Sequence, residues 1–286
     1  MNKWIIISVA ALIICTVSML YIVRLTSLPA ITYFPIDKES SFVTAASSLQ
    51  LSPPVEDNSN ELMWVSESES DKKMYLRQDA SILFENGRLK GIRSKWKQDT
   101  ANIRIQESIK VEGSSLFQVI SFHHGEVHHT DKEIRSLHQL SNDFLYVIDS
   151  PTTSIESFKS PANDYETEWK TLLDRTTKQD LLYHWYQLFN HFNISSDSYT
   201  AVPLTNLYRY NQEALPSLSQ DKTAQIMGQL WEGLYKNYII PIIDSEGKQI
   251  SYVPIILFDK QNQHLLVLFE LNGEKKQLIQ RYGNDI

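Results

Sequence analysis

Residues 4–23 form an uninterrupted, uncharged stretch, and no other segment constrains the chain as strongly. As a helix, such a stretch would span about 30 Å, the thickness of a bilayer's hydrocarbon core. The apolar region of a cleaved signal peptide is usually shorter. The nearest cleavage candidate, Leu28-Pro29-Ala30, places a large side chain where a small one is needed. The sequence therefore predicts a retained transmembrane signal-anchor over residues 1–24, with the lipid bilayer contacting residues 4–23.

The short N-terminal tail, with Lys3 as its one charged side chain, is typical of an uncleaved export signal. Because long domains are translocated largely regardless of their charge, we expect a single-pass cell-membrane protein with a cytoplasmic N-terminus and an extracytoplasmic C-terminal domain. The only Cys, Cys15, lies in the predicted anchor, so the exported part carries no disulfide. That composition favours a bacterial envelope protein over a eukaryotic secreted one.

The exported part is acidic. Lys3 and Arg24 account for two positive charges, so the whole-chain net charge of −7 leaves −9 for residues 25–286. A domain with this charge repels phosphate backbones and anionic headgroups, which excludes nucleic acid as a partner.

The composition predicts a tether and two further regions. Residues 25–61 are rich in Pro, Ser and acidic side chains without an apolar period, which predicts a flexible tether. Residues 62–150 indicate a strand-rich α+β subdomain, and residues 151–286 indicate helices followed by a C-terminal β-meander. The predicted fold class is α+β, with one N-terminal transmembrane helix, the tether, and a mixed ectodomain of antiparallel sheet and about three helices.

Local patterns place several elements. Asn86-Gly87 and Asn272-Gly273 predict tight hairpin turns. Residues 89–97 fit either a return strand or a short helix, and the polar run over residues 66–71 is typical of a solvated loop. Capping pairs that begin at Asn163 and Thr177 predict two successive helices, and a third is expected over residues 220–238.

The sequence contains none of the common catalytic or nucleotide-binding motifs. Its 9 Gly residues form no phosphate-binding loop or dinucleotide fingerprint, and there is no Gly-x-Ser-x-Gly elbow or His-Glu-x-x-His zinc helix. A catalytic pair or triad assembled from distant segments leaves no such motif. The missing motifs therefore favour a non-enzymatic protein without excluding an enzyme.

The histidines are concentrated in one segment, residues 123–129, which holds four of the eight. If Gly125 lies in a hairpin turn, His123 and His128 face each other and share a zinc or copper ion with Glu126. Two alternatives stay open: a pH sensor that becomes cationic in acid, and an exposed polar hairpin without a site. Other candidates, His184 and His191 on a helix and an aromatic group around Trp231, are explained equally well by core packing.

The sequence therefore predicts a membrane-anchored extracytoplasmic protein that acts as a protein-interaction or regulatory module, with a protein partner in the envelope. The alternative is an anchored hydrolase of cell-wall polymer or peptide. A cleft lined by a carboxylate pair or a Ser/His constellation would favour the hydrolase.

Overall fold

A computed structural model describes residues 31–52, 60–130, 133–150, 155–245 and 249–282. Antiparallel sheet accounts for 51% of the structure. The strands are β1 Phe42–Leu51, β2 Glu61–Glu85, β3 Arg88–Lys110, β4 Ser115–Thr130, β5 Glu133–Ile148, β6 Glu156–Phe158, β7 Tyr199–Pro203, β8 Ile255–Asp259, β9 His264–Leu271 and β10 Glu274–Arg281. The helices are α1 Asp164–Phe192, α2 Gln220–Leu234 and α3 Ile240–Ile243, with 3-10 helices at Ser196–Ser198 and Leu204–Asn211. A π-helical turn at Tyr235–Ile239 joins α2 to α3.

The large sheet is built on β2. β3 pairs along one side of β2. On the other side, β1 pairs with residues 62–70 of β2, and β4 pairs with residues 76–85 of β2. The register of β2 against β3 shifts between Glu69 and Met74, where the pairing on the other side passes from β1 to β4. Irregularities of this kind bend a strand and increase its twist. β1 is thereby carried close to β5, and the sheet forms a nearly closed barrel.

The barrel interior is apolar at one end. We define this interior as the face of the large sheet that carries Trp64, Leu83 and Phe117. Those side chains pack with Leu49 of β1 and Leu145 of β5, and all five are almost fully buried. Because side chains alternate along a strand, the other face of the same strands is buried separately. That outer face contributes Ile82 and Ile120 to the largest hydrophobic cluster among the described residues.

A second sheet, in the order β10-β9-β8-β7, covers the outer face of the barrel through α2. Trp231 of α2 stacks on Phe122 of β4, with ring centroids 5.0 Å apart, and lies in one cluster with Phe269 of β9. α1 packs Leu173 against the large sheet and Leu188 against β8 and β9. The division of the chain at residue 150 stays a prediction, although the largest cluster draws residues from both sides of it.

Two parts of the predicted fold class are wrong. The structure is mainly antiparallel sheet with a nearly closed barrel, rather than a mixed α+β ectodomain. None of the helices in the described ranges is both long enough and apolar enough to cross a membrane, while the predicted span over residues 4–23 lies outside those ranges. The predicted transmembrane helix, the membrane class and the cell-membrane localisation are therefore withdrawn.

The predicted tether over residues 25–61 is also wrong where the structure describes it. Residues 42–51 form β1, and Leu49 is fully buried. The sequence pattern did not predict this strand, because its inward positions include small residues such as Ser47. The strand therefore lacks an alternation of large apolar side chains. The polar run over residues 66–71 belongs to β2, with Ser66, Ser68 and Ser70 buried and the intervening glutamates directed away from the interior.

The local predictions that relied on turn and cap chemistry are confirmed. Asn86-Gly87 and Asn272-Gly273 have positive φ at all four residues, as a type I′ hairpin requires, and residues 89–97 form a strand. Asn163 caps α1 by accepting a hydrogen bond from the Glu166 backbone N–H at 2.8 Å. Thr177 is instead buried in the middle of α1, so the two predicted helices are one.

Gly125→Ala is expected to destabilise the protein by about 1–3 kcal/mol, the usual cost of overpacking a filled interior. An added Cβ at Gly125 would collide with the Met74 sulfur and press on the Arg77 side chain. The measurement is urea unfolding, read as a lower midpoint at unchanged slope.

Gly233→Ala is the matched control, because a Cβ there meets nothing within 4 Å on a helix. This change should be neutral or stabilising by up to about 1 kcal/mol. Equal behaviour of the two variants would contradict the packing described at Gly125.

Candidate functional site

A group of polar side chains fills the other end of the barrel interior. Arg77 and Asp79 come from β2, His123 from β4, Ser141 from β5 and Ser47 from β1. The register pairs Asp79 with His123 across β2 and β4, so both side chains point to the same face. Arg77, Asp79 and His123 have no exposed surface, and Ser141 is only 8% exposed. Charged groups so deeply buried must be paired with one another.

Ser141, His123 and Asp79 form a hydrogen-bonded row. Ser141 Oγ lies 2.7 Å from His123 Nε2, and His123 Nδ1 lies 2.7 Å from Asp79 Oδ2. A carboxylate can only accept, so Nδ1–H donates to Asp79, which leaves Nε2 of the neutral ring to accept from the Ser141 hydroxyl. This arrangement of nucleophile, base and orienting acid is that of Ser-His-Asp hydrolases, which is recognised by geometry rather than by sequence order.

Arg77 compensates the charge of Asp79. Its Nη2 lies 3.6 Å from Asp79 Oδ1, and Ser68 Oγ, itself bonded to Arg77, donates to Asp79 Oδ2 at 2.6 Å. The guanidinium also donates to the carbonyl oxygens of Ala101 at 2.6 Å and His124 at 3.2 Å. Burial lowers the pKa of Arg77, and the neighbouring Asp79 acts in the opposite direction. These contacts hold Asp79 in place behind His123.

A cleft of about 590 Å³ reaches Ser141 from the surface. It opens at the seam, which we define as the line along which β1 and β5 approach each other at Ser47 and Ser141. The 3-10 helix at Leu204–Asn211 and the residues after it form the opposite wall, with Arg209 and Glu213. Ser141 is therefore at the boundary between the cleft and the buried His123.

The outer edge of β5 presents backbone donors to this cleft. Leu140 exchanges two hydrogen bonds with the Asn211 side chain, through its N–H at 3.1 Å and its carbonyl oxygen at 2.7 Å. In an antiparallel strand, backbone groups two residues apart point to the same side. The N–H of Asn142, which lines the cleft, therefore points outward next to Ser141. A backbone N–H beside the nucleophile is the usual donor to the oxyanion of an acyl-transfer intermediate.

Comparison with known proteins gave no guide to the chemistry. No family model, curated protein or solved structure matches the chain. The assignment of this site therefore depends on its own geometry.

The structure separates His123 from the other two residues of the predicted zinc or copper site, His128 and Glu126. Gly125 lies inside β4 rather than in a turn, so the cross-strand geometry expected for His123 and His128 is wrong. His123 is buried beside Asp79, whereas His128 stacks on Tyr75 with ring centroids 3.9 Å apart and lies 3.8 Å from Glu126. In the described parts of the chain, no three His, Cys, Asp or Glu side chains are grouped to hold a metal ion. The metal hypothesis stays a prediction without the geometry that suggested it.

Of the other sequence candidates, His191 is exposed on α1, and the rest are packed against neighbouring side chains. His184 stacks on Tyr252 with centroids 3.4 Å apart, and Trp231 and Tyr235 are fully buried in the main cluster. Burial raises the pKa of Glu126, with His128 opposing the shift.

Sequence reasoning missed Asp79 and Ser141. They are 44 and 18 residues from His123, so no local motif contains them. The available signal was polar side chains at alternate positions in otherwise apolar strands, Asp79 with Ser81 and Ser121 with His123. Alternation of this kind usually marks a solvent-facing side, and here it marks the inside of a barrel.

Stability should fall in acid because of His124, which lies on the outer face of β4. Burial, followed by the nearby His138 and Arg77, lowers the pKa of His124 from 6.5 to about 3. In acid, the unfolded chain therefore binds a proton at His124 that the folded chain does not bind. The stabilisation is complete above pH 6.5 and is lost as pH falls towards 3, with a slope of at most about 1.4 kcal/mol per pH unit.

His124→Gln should flatten the decrease in unfolding free energy between these two pH values, measured by urea titration at several pH values. His191→Gln, at an exposed position of α1, is the control and should keep the wild-type slope. Identical slopes for wild type and His124→Gln would show that His124 does not cause the acid sensitivity.

Proposed function

We propose that the protein is a hydrolase in which Ser141 is the nucleophile, His123 the general base and Asp79 the group that orients it. The observation that carries this proposal is the pair of 2.7 Å contacts that join the three side chains at the bottom of an open cleft. A serine hydroxyl is a weak nucleophile unless a neighbouring base takes its proton, and His123 is positioned to do so.

The reaction would follow acyl transfer in two halves. Ser141 Oγ attacks the carbonyl carbon of an ester or amide while its proton passes to His123 Nε2, and His123 then protonates the leaving oxygen or nitrogen as its bond to carbon breaks. A water molecule next attacks the acyl carbon and gives a proton to His123. His123 returns that proton to Ser141 Oγ as the acid is released.

The surroundings of the three residues support this assignment. The negative charge of Asp79 would stabilise the imidazolium that forms on His123, and Arg77 would keep that carboxylate paired while it does so. The outward N–H of Asn142 would donate to the oxyanion of the tetrahedral intermediate. Such preorganised donors contribute strongly because they need no rearrangement during the reaction.

The cleft favours polar substrates. Asn142, Arg209 and Glu213 line it together with Ser47 and Ser141, so both charges and several hydrogen-bonding groups face a bound molecule. This lining suits a peptide or a similarly polar ester or amide better than a lipid. The leading sequence-based hypothesis, a non-enzymatic interaction module with a protein partner, stays a prediction, whereas a Ser/His constellation that lines a cleft favours the hydrolase, which was the sequence-based alternative.

Ser141 should react with a fluorophosphonate, which traps activated serines by forming an Oγ–P bond with loss of fluoride. Intact-mass and peptide mass spectrometry of the full chain should show one adduct, on Ser141. His123→Ala should slow labelling by at least about 100-fold, the usual contribution of a general base.

Ser141→Ala should abolish labelling. Ser66→Ala is the control because Ser66 is a fully buried barrel serine whose hydroxyl has no hydrogen-bond partner among the described residues, and this variant should label at the wild-type rate. Absence of any adduct on the wild-type protein, or labelling that survives Ser141→Ala, would refute the assignment.

A further inference from the structure

The Ser141 hydroxyl belongs to a longer chain of hydrogen bonds that crosses the barrel interior. Ser141 Oγ lies 2.7 Å from Ser47 Oγ, and Ser47 Oγ lies 2.7 Å from Ser121 Oγ. Ser121 Oγ is 2.6 Å from Ser81 Oγ, which accepts from the Trp64 indole N–H at 2.9 Å. The chain thus runs from β2 through β4 and β1 to β5 and contacts a hydroxyl from each of these strands.

The two ends of this chain fix its direction. The Trp64 indole N–H can only donate, whereas the Asp79 carboxylate at the other end can only accept. Each serine between them has two partners in the chain and one proton to donate. With a neutral His123 ring, a reversal at any link would leave another link of the chain with two protons or with none.

The proton positions follow one by one. Ser81 accepts from Trp64 and donates to Ser121, and Ser121 donates to Ser47. Ser47 donates to Ser141, which leaves the Ser141 proton to point at His123 Nε2. In this arrangement every link is satisfied.

We propose that Trp64 is a positioning residue for Ser141 and acts through the relay Ser81, Ser121 and Ser47, an inference that rests on the proposed hydrolase function for its catalytic meaning. The relay directs the Ser141 proton toward the base before substrate binds. It also places the Ser47 hydroxyl as a donor to Ser141 Oγ, where negative charge develops as the proton leaves. Hydrogen bonds arranged in one direction polarise one another, so the relay acts as a unit.

The same relay distinguishes the two serines that face the cleft. Ser47 and Ser141 both line it, but only Ser141 contacts His123. The proton of Ser47 is committed to Ser141. Ser47 is therefore a donor to the nucleophile and not a second nucleophile.

The first experiment does not depend on activity. In an NMR spectrum of the full ¹⁵N-labelled chain, Trp64→Phe identifies the Trp64 indole N–H resonance. Ser141→Ala should move that resonance although it lies four hydrogen bonds away. Ser66→Ala, two residues from Trp64 on the same strand but outside the relay, should move it less. A larger shift from Ser66→Ala than from Ser141→Ala would overturn the relay.

The second experiment measures the rate of fluorophosphonate labelling at Ser141. Ser47→Ala should slow labelling by about tenfold, which corresponds to one hydrogen bond, and Ser47→Thr, which keeps the hydroxyl, should restore most of the rate. Ser121→Ala and Trp64→Phe should have successively smaller effects. Equal rates for Ser47→Ala and wild type would overturn the positioning role. No labelling of wild type would instead refute the hydrolase, while the NMR result would still decide whether the relay exists.

Discussion

The structure depends on the way the large sheet closes. β1 and β5 meet without a described backbone ladder, and side chains join them instead: Ser47 contacts Ser141, and Asp143 accepts from the Leu49 backbone N–H at 2.7 Å. Strand edges carry unpaired backbone groups that must be satisfied in some other way. Here the side chains of Asp143 and Asn211 hydrogen-bond to backbone groups at these strand edges. The part of the gap between β1 and β5 that stays open is the cleft. A fully paired barrel would have buried Ser141 beyond the reach of any substrate.

The burial of Arg77 with Asp79 is the second constraint. A buried ion pair gains little stability over an apolar pair, because removing two charges from water costs about as much as their attraction returns. The polar end of the barrel interior is therefore better explained by its positioning of Asp79 and His123 than by a contribution to the stability of the fold. The apolar end, around Trp64 and Phe117, contributes the burial that keeps the barrel together.

Sequence reasoning succeeded where the chemistry is local and failed where it depends on contacts between segments that are distant in the sequence. The Asn-Gly hairpins and the Asn163 cap were predictable because only a few residue types adopt those backbone conformations or satisfy those N–H groups. β1 was missed because small residues face the interior where the two sides of the barrel come closest. Asp79 and Ser141 reach His123 through the pairing of β2 and β5 with β4, and nothing in a single sequence records that register. The histidine cluster attracted attention by its density, yet only His123 belongs to the site.

Helix α1 contacts both sheets along its 29 residues, with Leu173 packed against one and Leu188 against the other. At a rise of about 1.5 Å per residue, it acts as a rigid spacer between them. Neither sheet can swing away from the other unless this helix breaks or releases one of its ends. We therefore expect the barrel and the small sheet to unfold together in one cooperative transition.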